Sequence, residues 1–201
     1  MPAPTRALVS TDPGRLIVVS GPSGVGKSTV VAALHEQHPF FFSVSVTTRQ
    51  RRPGEAEGVD YRFVTREEFD RLRSSGQLLE WAEYAGFQYG TPKDPVLEQL
   101  ASGNDVLLDI EVNGAVQVKA AFPEAITVFV APPSLEALEE RLRGRGDTDP
   151  KQIERRLEIA AWQLSTARDT FDHVIVNRRV EDTVAQILRI LDASPTRADS
   201  S

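Results

Sequence analysis

The chain has no cysteine, one methionine and three histidines, His35, His38 and His173, among 201 residues. Without cysteine there is no disulfide, thiol nucleophile or thiolate metal ligand, a usage that suits a reducing compartment. The histidines are scattered without metal-ligand spacing and read as surface or packing residues. Long uncharged apolar runs are also missing: none reaches the roughly 20 residues that cross a bilayer, and residues 1–10 lack the apolar centre of a secretion signal. A soluble, cytoplasmic protein with no membrane partner is expected. Positive charge is in deficit, with 23 Lys and Arg against 29 Asp and Glu and a net charge of -6. Such a surface repels polyanions, which argues against a nucleic-acid partner. Any bound phosphate must be held by local positive charge.

Apolar residues make up 40 % of the chain, enough for one core. Residues 1–13 and 194–201 are rich in Pro, Ser, Thr and Ala and are expected to be mobile tails around a single domain, 14–193. Apolar, β-branched runs at 15–20, 105–110, 125–131 and 173–177 look like strands buried on both faces. Helical stretches such as 28–37, 134–143 and 180–191 alternate with them, which predicts an α/β fold: a parallel sheet flanked by helices. The core comprises 14–41 and 93–193. Between them, 42–92 breaks the alternation with short aromatic strands around one helix, 66–74, whose Thr65-x-x-Glu68 start fits a capping box. It is expected to be a small mixed α+β insert. A glycine- and charge-rich stretch begins at Arg141, and a helix restarts with Asp149 as N-cap and Pro150 in its first turn. Its apolar face is Ile153, Leu157, Ala160, Leu164 and Ala167.

Gly21-Pro22-Ser23-Gly24-Val25-Gly26-Lys27-Ser28 fits G-x-x-x-x-G-K-[ST] between a predicted strand and helix, the setting in which the motif binds phosphate. Its glycines let backbone N–H groups turn toward an anion, and the helix N-terminus adds a positive dipole end. Lys27 is expected to hold the β- and γ-phosphates of ATP and the Ser28 hydroxyl to be a Mg²⁺ ligand, with Thr29 the fallback. The loop leaves open whether the triphosphate serves a GTPase, an ATPase or a small-molecule kinase.

Arg49, Arg51 and Arg52 concentrate positive charge beside tyrosines, and guanidinium forks suit a phosphate monoester. Glu80 follows Leu78 and Leu79 at a strand end, where a carboxylate can accept from the ring N–H and exocyclic amine of guanine; adenine offers no such pair. Asp109 ends an apolar run and projects from the carboxyl end of a central strand, where ligands collect in open α/β sheets.

The run SVSVTTR from Ser43 to Arg49 is followed by G-E-x-x-G-x-D-Y, E-W-A-E-Y, Y-G-T and V-I-V-N, and with the loop this set resembles the guanylate kinase family over 15–191. The resemblance implies ATP-dependent phosphorylation of GMP, and of dGMP, with Mg²⁺. It assigns Arg49, Arg52, Tyr61 and Tyr89 to the GMP phosphate, Ser45 and Thr91 with Glu80 to the base, and Glu111 to the guanine amino group. Asp109 would organise the Mg²⁺ water shell. Arg145 and Arg156 resemble lid arginines, on a helical lid at about 141–157, and Arg141 and Arg155 are weaker candidates. Arg51 stands where the family usually has proline and is expected to be exposed and dispensable. A monomer or small homo-oligomer is expected. The competing readings are a kinase for another phosphorylated acceptor and a non-catalytic guanylate-kinase-like module that binds phosphopeptides.

Overall fold

The computed structural model describes residues 13–84, 86–144 and 150–194. Asp149, expected as an N-cap, Arg145, expected as a lid arginine, and nearly all of both tails lie outside these residues. Five strands form a parallel sheet: β1 (Leu16–Ser20), β2 (Phe41–Phe42), β7 (Val106–Asp109), β8 (Ile126–Ala131) and β9 (His173–Val176), in the order β2-β7-β1-β8-β9. β1 is central and buried at every residue. Because side chains alternate across a strand, Ile17 and Val19 enter one apolar cluster and Leu16 and Val18 another. The first cluster is closed by helices α1 (Lys27–His35) and α7 (Val180–Ala193), through Val30, Leu34, Val184 and Ile187. The second is closed by α3 (Lys93–Ala101), α4 (Val112–Ala121) and the end of α6 (Pro150–Thr170). Each aliphatic side chain so buried is worth about 1.5–3 kcal/mol, which is why β-branched runs without polar alternation mark this sheet.

The second sheet is built from β3 (Val46–Thr47), β4 (Arg62–Phe63), β5 (Leu78–Tyr84) and β6 (Phe87–Pro92), in the order β4-β3-β6-β5. β5 and β6 form an antiparallel hairpin in which Glu80 faces Thr91. Helix α2 (Arg66–Ser74) packs fully buried Phe69 inward. Its N-cap is Thr65, whose Oγ1 accepts from the Glu68 N–H at 3.1 Å. The Glu68 carboxylate turns to Arg62 Nη2 at 2.9 Å, so the expected reciprocal box has a different second half. Phe42 belongs to the parallel sheet, paired with Leu107.

α5 (Leu135–Arg143) is capped by Ser134, whose hydroxyl accepts from the Ala137 N–H. Leu138 and Leu142 meet Ile153 and Ala160 of α6, with Leu157 packed at their margin. Among the described residues no helix is long and apolar enough to cross a membrane.

Candidate active site

The loop 21–28 joins the end of β1 to the start of α1, at the carboxyl edge of the parallel sheet. Gly26 is the N-cap at φ 101°, in the left-handed region, and no side chain caps the helix. No acidic residue occupies the first turn either, so no carboxylate of the helix itself offsets the positive end of α1. Lys27 Nζ donates to the Gly21 carbonyl at 2.8 Å and stands 3.8 Å from Asp109 Oδ1 at the end of β7. Ser28 and Thr29 are exposed. Burial pushes the Asp109 carboxyl upward, and the Lys27 charge opposes this.

Two side chains brace the loop from behind. Arg141 Nη1 and Asn177 Nδ2 each donate to the Val25 carbonyl at 2.9 Å. A cavity of about 270 Å³ beside them is lined by Gly24, Gly26, Thr29, Asn177, Arg178 and Val180. Arg156 of α6 reaches over the front, Nη2 donating to Ser23 Oγ at 2.5 Å. Burial raises the hydroxyl pKa of Tyr84 on β5, and the Glu111 charge adds to this while the Arg156 charge opposes it.

On the second sheet Arg49 is only 8 % exposed. Its guanidinium lies 5.3 Å from the centre of the Tyr61 ring, and Tyr61 packs edge-on to Tyr89 with centroids 5.9 Å apart. The Tyr61 hydroxyl is pushed up to about 12, chiefly by burial and then by the negative charge of Asp109. Arg52 and Arg51 are exposed, as expected for the latter. Arg52 gives its backbone N–H to Glu55 at 2.8 Å.

Glu80 is 4 % exposed, on the inward face of β5 where alternation would otherwise place an apolar residue. Thr91 Oγ1 donates to its Oε1 at 2.6 Å. Burial pushes the Glu80 carboxyl up to about 7 against the Thr91 bonds, and the Glu111 charge adds to the rise. Glu111 is the N-cap of α4 and accepts from Gln163 Nε2 at 3.2 Å. Burial raises its carboxyl as well, opposed by Lys27. Ser45 is half-buried, and its carbonyl accepts from the Arg62 N–H. A second cavity, about 330 Å³, opens between Tyr84, Glu111, Asn113, Arg155, Trp162 and Gln163.

The site therefore pairs a phosphate loop with a buried arginine and tyrosine cluster and a buried carboxylate. A family model described as guanylate kinase matches residues 13–194. The chain belongs to the guanylate kinase family. It is 53 % identical over 186 residues to a guanylate kinase from Thermobifida fusca (strain YX), covering 92 % of this chain and 94 % of the relative. A guanylate kinase from Streptomyces coelicolor (strain ATCC BAA-471 / A3(2) / M145) is 54 % identical over 177 residues, 88 % of this chain and 89 % of that one. The crystal structure of guanylate kinase from Anaplasma phagocytophilum superposes with a TM-score of 0.78 at 36 % identity, over 94 % of this chain and 89 % of that chain.

Sequence reasoning about this guanylate kinase family member missed Glu55, Tyr84, Asn177 and Gln163. Glu55 and Asn177 stand inside the quoted G-E-x-x-G-x-D-Y and V-I-V-N motifs, so their signal was present without a role. Tyr84 likewise closes the quoted E-W-A-E-Y motif, whereas Gln163 gave no local signal, because its partner Glu111 is far away in the chain.

Proposed function

We propose that the phosphate loop holds ATP and that the Arg49, Tyr61 and Glu80 side of the site holds GMP, so that the γ-phosphoryl group passes directly between them. The chain is an ATP:GMP phosphotransferase. The observation that carries the residue assignment is the position of Asp109, which meets Lys27 at 3.8 Å on the donor side and raises the Tyr61 hydroxyl on the acceptor side. This supports a reading in which donor and acceptor groups meet near the carboxyl end of β7.

In this reading the N-terminus of α1 and Lys27 hold the β- and γ-phosphates, and Arg156 moves from Ser23 onto the transferring group. Arg49, Arg52, Tyr61 and Tyr89 grip the GMP phosphate. Glu80 accepts the two guanine donors, Thr91 and Ser45 complete the base site, and Glu111 lies toward the exocyclic amine. Arg145 acts as a second lid arginine, on the family likeness. An oxygen of the GMP phosphate attacks the γ-phosphorus in line, the bond to the β,γ-bridging oxygen breaks, and ADP leaves. A phosphate monoester has a second pKa of about 6, so the attacking oxygen is already ionised at neutral pH and no protein base is needed. Catalysis is then positioning and electrostatic stabilisation.

The described residues contain no cluster of three or more His, Cys, Asp or Glu suited to a metal. A hydroxyl at Ser28 and a carboxylate at Asp109 are hard oxygen donors, which fits Mg²⁺ held mostly by phosphates and water. When bound, Mg²⁺ would neutralise charge on the β- and γ-oxygens.

The test is ADP formation from ATP with GMP, AMP, CMP or UMP as acceptor. GMP should be far the fastest; equal rates would remove guanine selectivity. The intact loop favours this over the phosphopeptide module, and a calorimetric titration showing no ATP binding would reverse that preference.

A further inference from the structure

Gly114 sits in the first turn of α4, buried, although glycine is a poorer helix former than alanine. Its place against β5 supplies a reason. A Cβ built on Gly114 would lie 2.2 Å from Glu80 Oε2 and 2.9 Å from Glu80 Cδ. A methyl group and the carboxylate cannot share that space.

Helix and strand are also locked together beside this contact. Gln117, one turn further along α4, donates from Nε2 to the Trp81 carbonyl at 2.7 Å and accepts from the Trp81 N–H at 3.3 Å. Trp81 is the next residue after Glu80, so α4 cannot back away from the carboxylate without breaking this clamp. From the other side Thr91 Oγ1 donates to Glu80 Oε1 at 2.6 Å. The carboxylate therefore occupies a slot with a hydroxyl on one wall and the bare α-carbon of Gly114 on the other.

We propose that Gly114 is a positioning residue for guanine selectivity: by presenting no side chain, it lets the Glu80 carboxylate stand where both oxygens face the guanine edge. The inference rests on the assignment of Glu80 to the base. Gly114 acts through Glu80 and not on the phosphates. A larger residue at 114 meets the far end of a side chain and not backbone, so Glu80 turns aside, loses the Thr91 bond, and leaves the fold in place. ATP binding, which uses the loop 21–28, is untouched.

The experiment compares wild type with Gly114→Ala, Glu80→Asp, Glu80→Gln and the double variant G114A/E80D, by steady-state kinetics with GMP and AMP and by thermal melts. In G114A the KM for GMP should rise roughly tenfold or more, with kcat changed less than about threefold and the KM for ATP unchanged. Its melting temperature should equal or exceed that of wild type, because alanine favours the helix. Shortening residue 80 withdraws its oxygens from the new methyl, so E80D should improve the GMP KM in the G114A background while worsening it in wild type.

A wild-type GMP KM and GMP-to-AMP ratio in G114A would overturn the proposal. So would equal losses for ATP and GMP with a lowered melting temperature, or strictly additive effects in the double variant. If G114A lost its fold, recovery in G114A/E80D would place the clash at Glu80 and support the proposal, and no recovery would overturn it. E80Q separates the two ideas. An unchanged GMP-to-AMP ratio there removes Glu80 from the base site, whereas a changed ratio with a normal G114A refutes only the role of Gly114.

Discussion

Glu55 holds the Arg49 guanidinium through two hydrogen bonds, Nη1 to Oε2 at 3.0 Å and Nη2 to Oε1 at 2.8 Å. Arg49 Nη1 also donates to the Gln50 carbonyl at 2.8 Å, so groups of the protein itself anchor the side chain. The Arg49 bond holds the Glu55 carboxyl below its ordinary range, against the effect of burial. An arginine fixed in this way meets a phosphate without having to give up rotamer freedom on binding.

Glu55→Ala should therefore raise the KM for GMP by on the order of tenfold while leaving the KM for ATP alone, and should cost about 1–3 kcal/mol of stability from the unpaired guanidinium. Glu55→Gln, which keeps one acceptor, should fall between. A normal GMP KM in Glu55→Ala would show that Arg49 finds its orientation elsewhere.

Glu80 makes a prediction about pH. Its folded-state value of about 7 lies above the ordinary carboxyl value, so the folded state binds the extra proton between the two and stability falls as pH rises through that window. Glu80→Gln removes the cost of burying the ionised form. Its melting temperature should exceed that of wild type at about pH 8, and the gain should vanish below about pH 4. Paired melts across pH check this, and a less stable variant at high pH would mean the slot favours the anion.

Arg156 Nη2 donates to the Ser23 hydroxyl at 2.5 Å. If it transfers to the moving phosphoryl group, Arg156→Ala should lower kcat by roughly 10²-fold or more with GMP affinity largely kept. Ser23→Ala removes the resting contact but no charge and leaves the loop backbone in place, so it should change kcat less than about threefold. Pre-steady-state kinetics on both variants distinguish a charge needed in the transition state from a structural tether.

At the opposite end of the sheet, Asp105 accepts from the Arg15 N–H and Nη2, each at 2.7 Å, and hydrogen-bonds His38 Nε2 at 2.8 Å. Burial alone would raise its carboxyl, yet the bonds from Arg15 and His38 hold it below the usual range. Asp105→Ala should cost about 2–4 kcal/mol at neutral pH with kcat unchanged. A depressed carboxyl contributes its stabilisation above the ordinary value of about 3.9 and loses it as pH falls through the folded value, so the difference from wild type should shrink in acid. Denaturant titrations across pH measure it.

Two kinds of element show why some of this was readable and some was not. The strands of the parallel sheet were legible because burial on both faces demands continuous apolar runs. The phosphate loop was legible because a glycine-rich turn before a helix is a local device. Helix α4 was not: Val112, Gly114, Val116 and Val118 are weak helix formers, and its N-cap Glu111 makes no capping bond. Packing on β1 and β5 decides that helix, and packing is not local.

The order of residues was enough to set the alternation of strands and helices, the anion loop and the stock of arginines, tyrosines and carboxylates available for chemistry. Those properties depend on neighbours along the chain, where turn geometry, side-chain alternation and charge are set. Closure of the folded chain was needed before Glu55 could anchor Arg49, Asn177 could brace Val25, and Gly114 could leave room for Glu80. Each is a matter of ångström distances between separate segments, and a buried carboxylate acquires its pKa and direction only once those segments have closed around it.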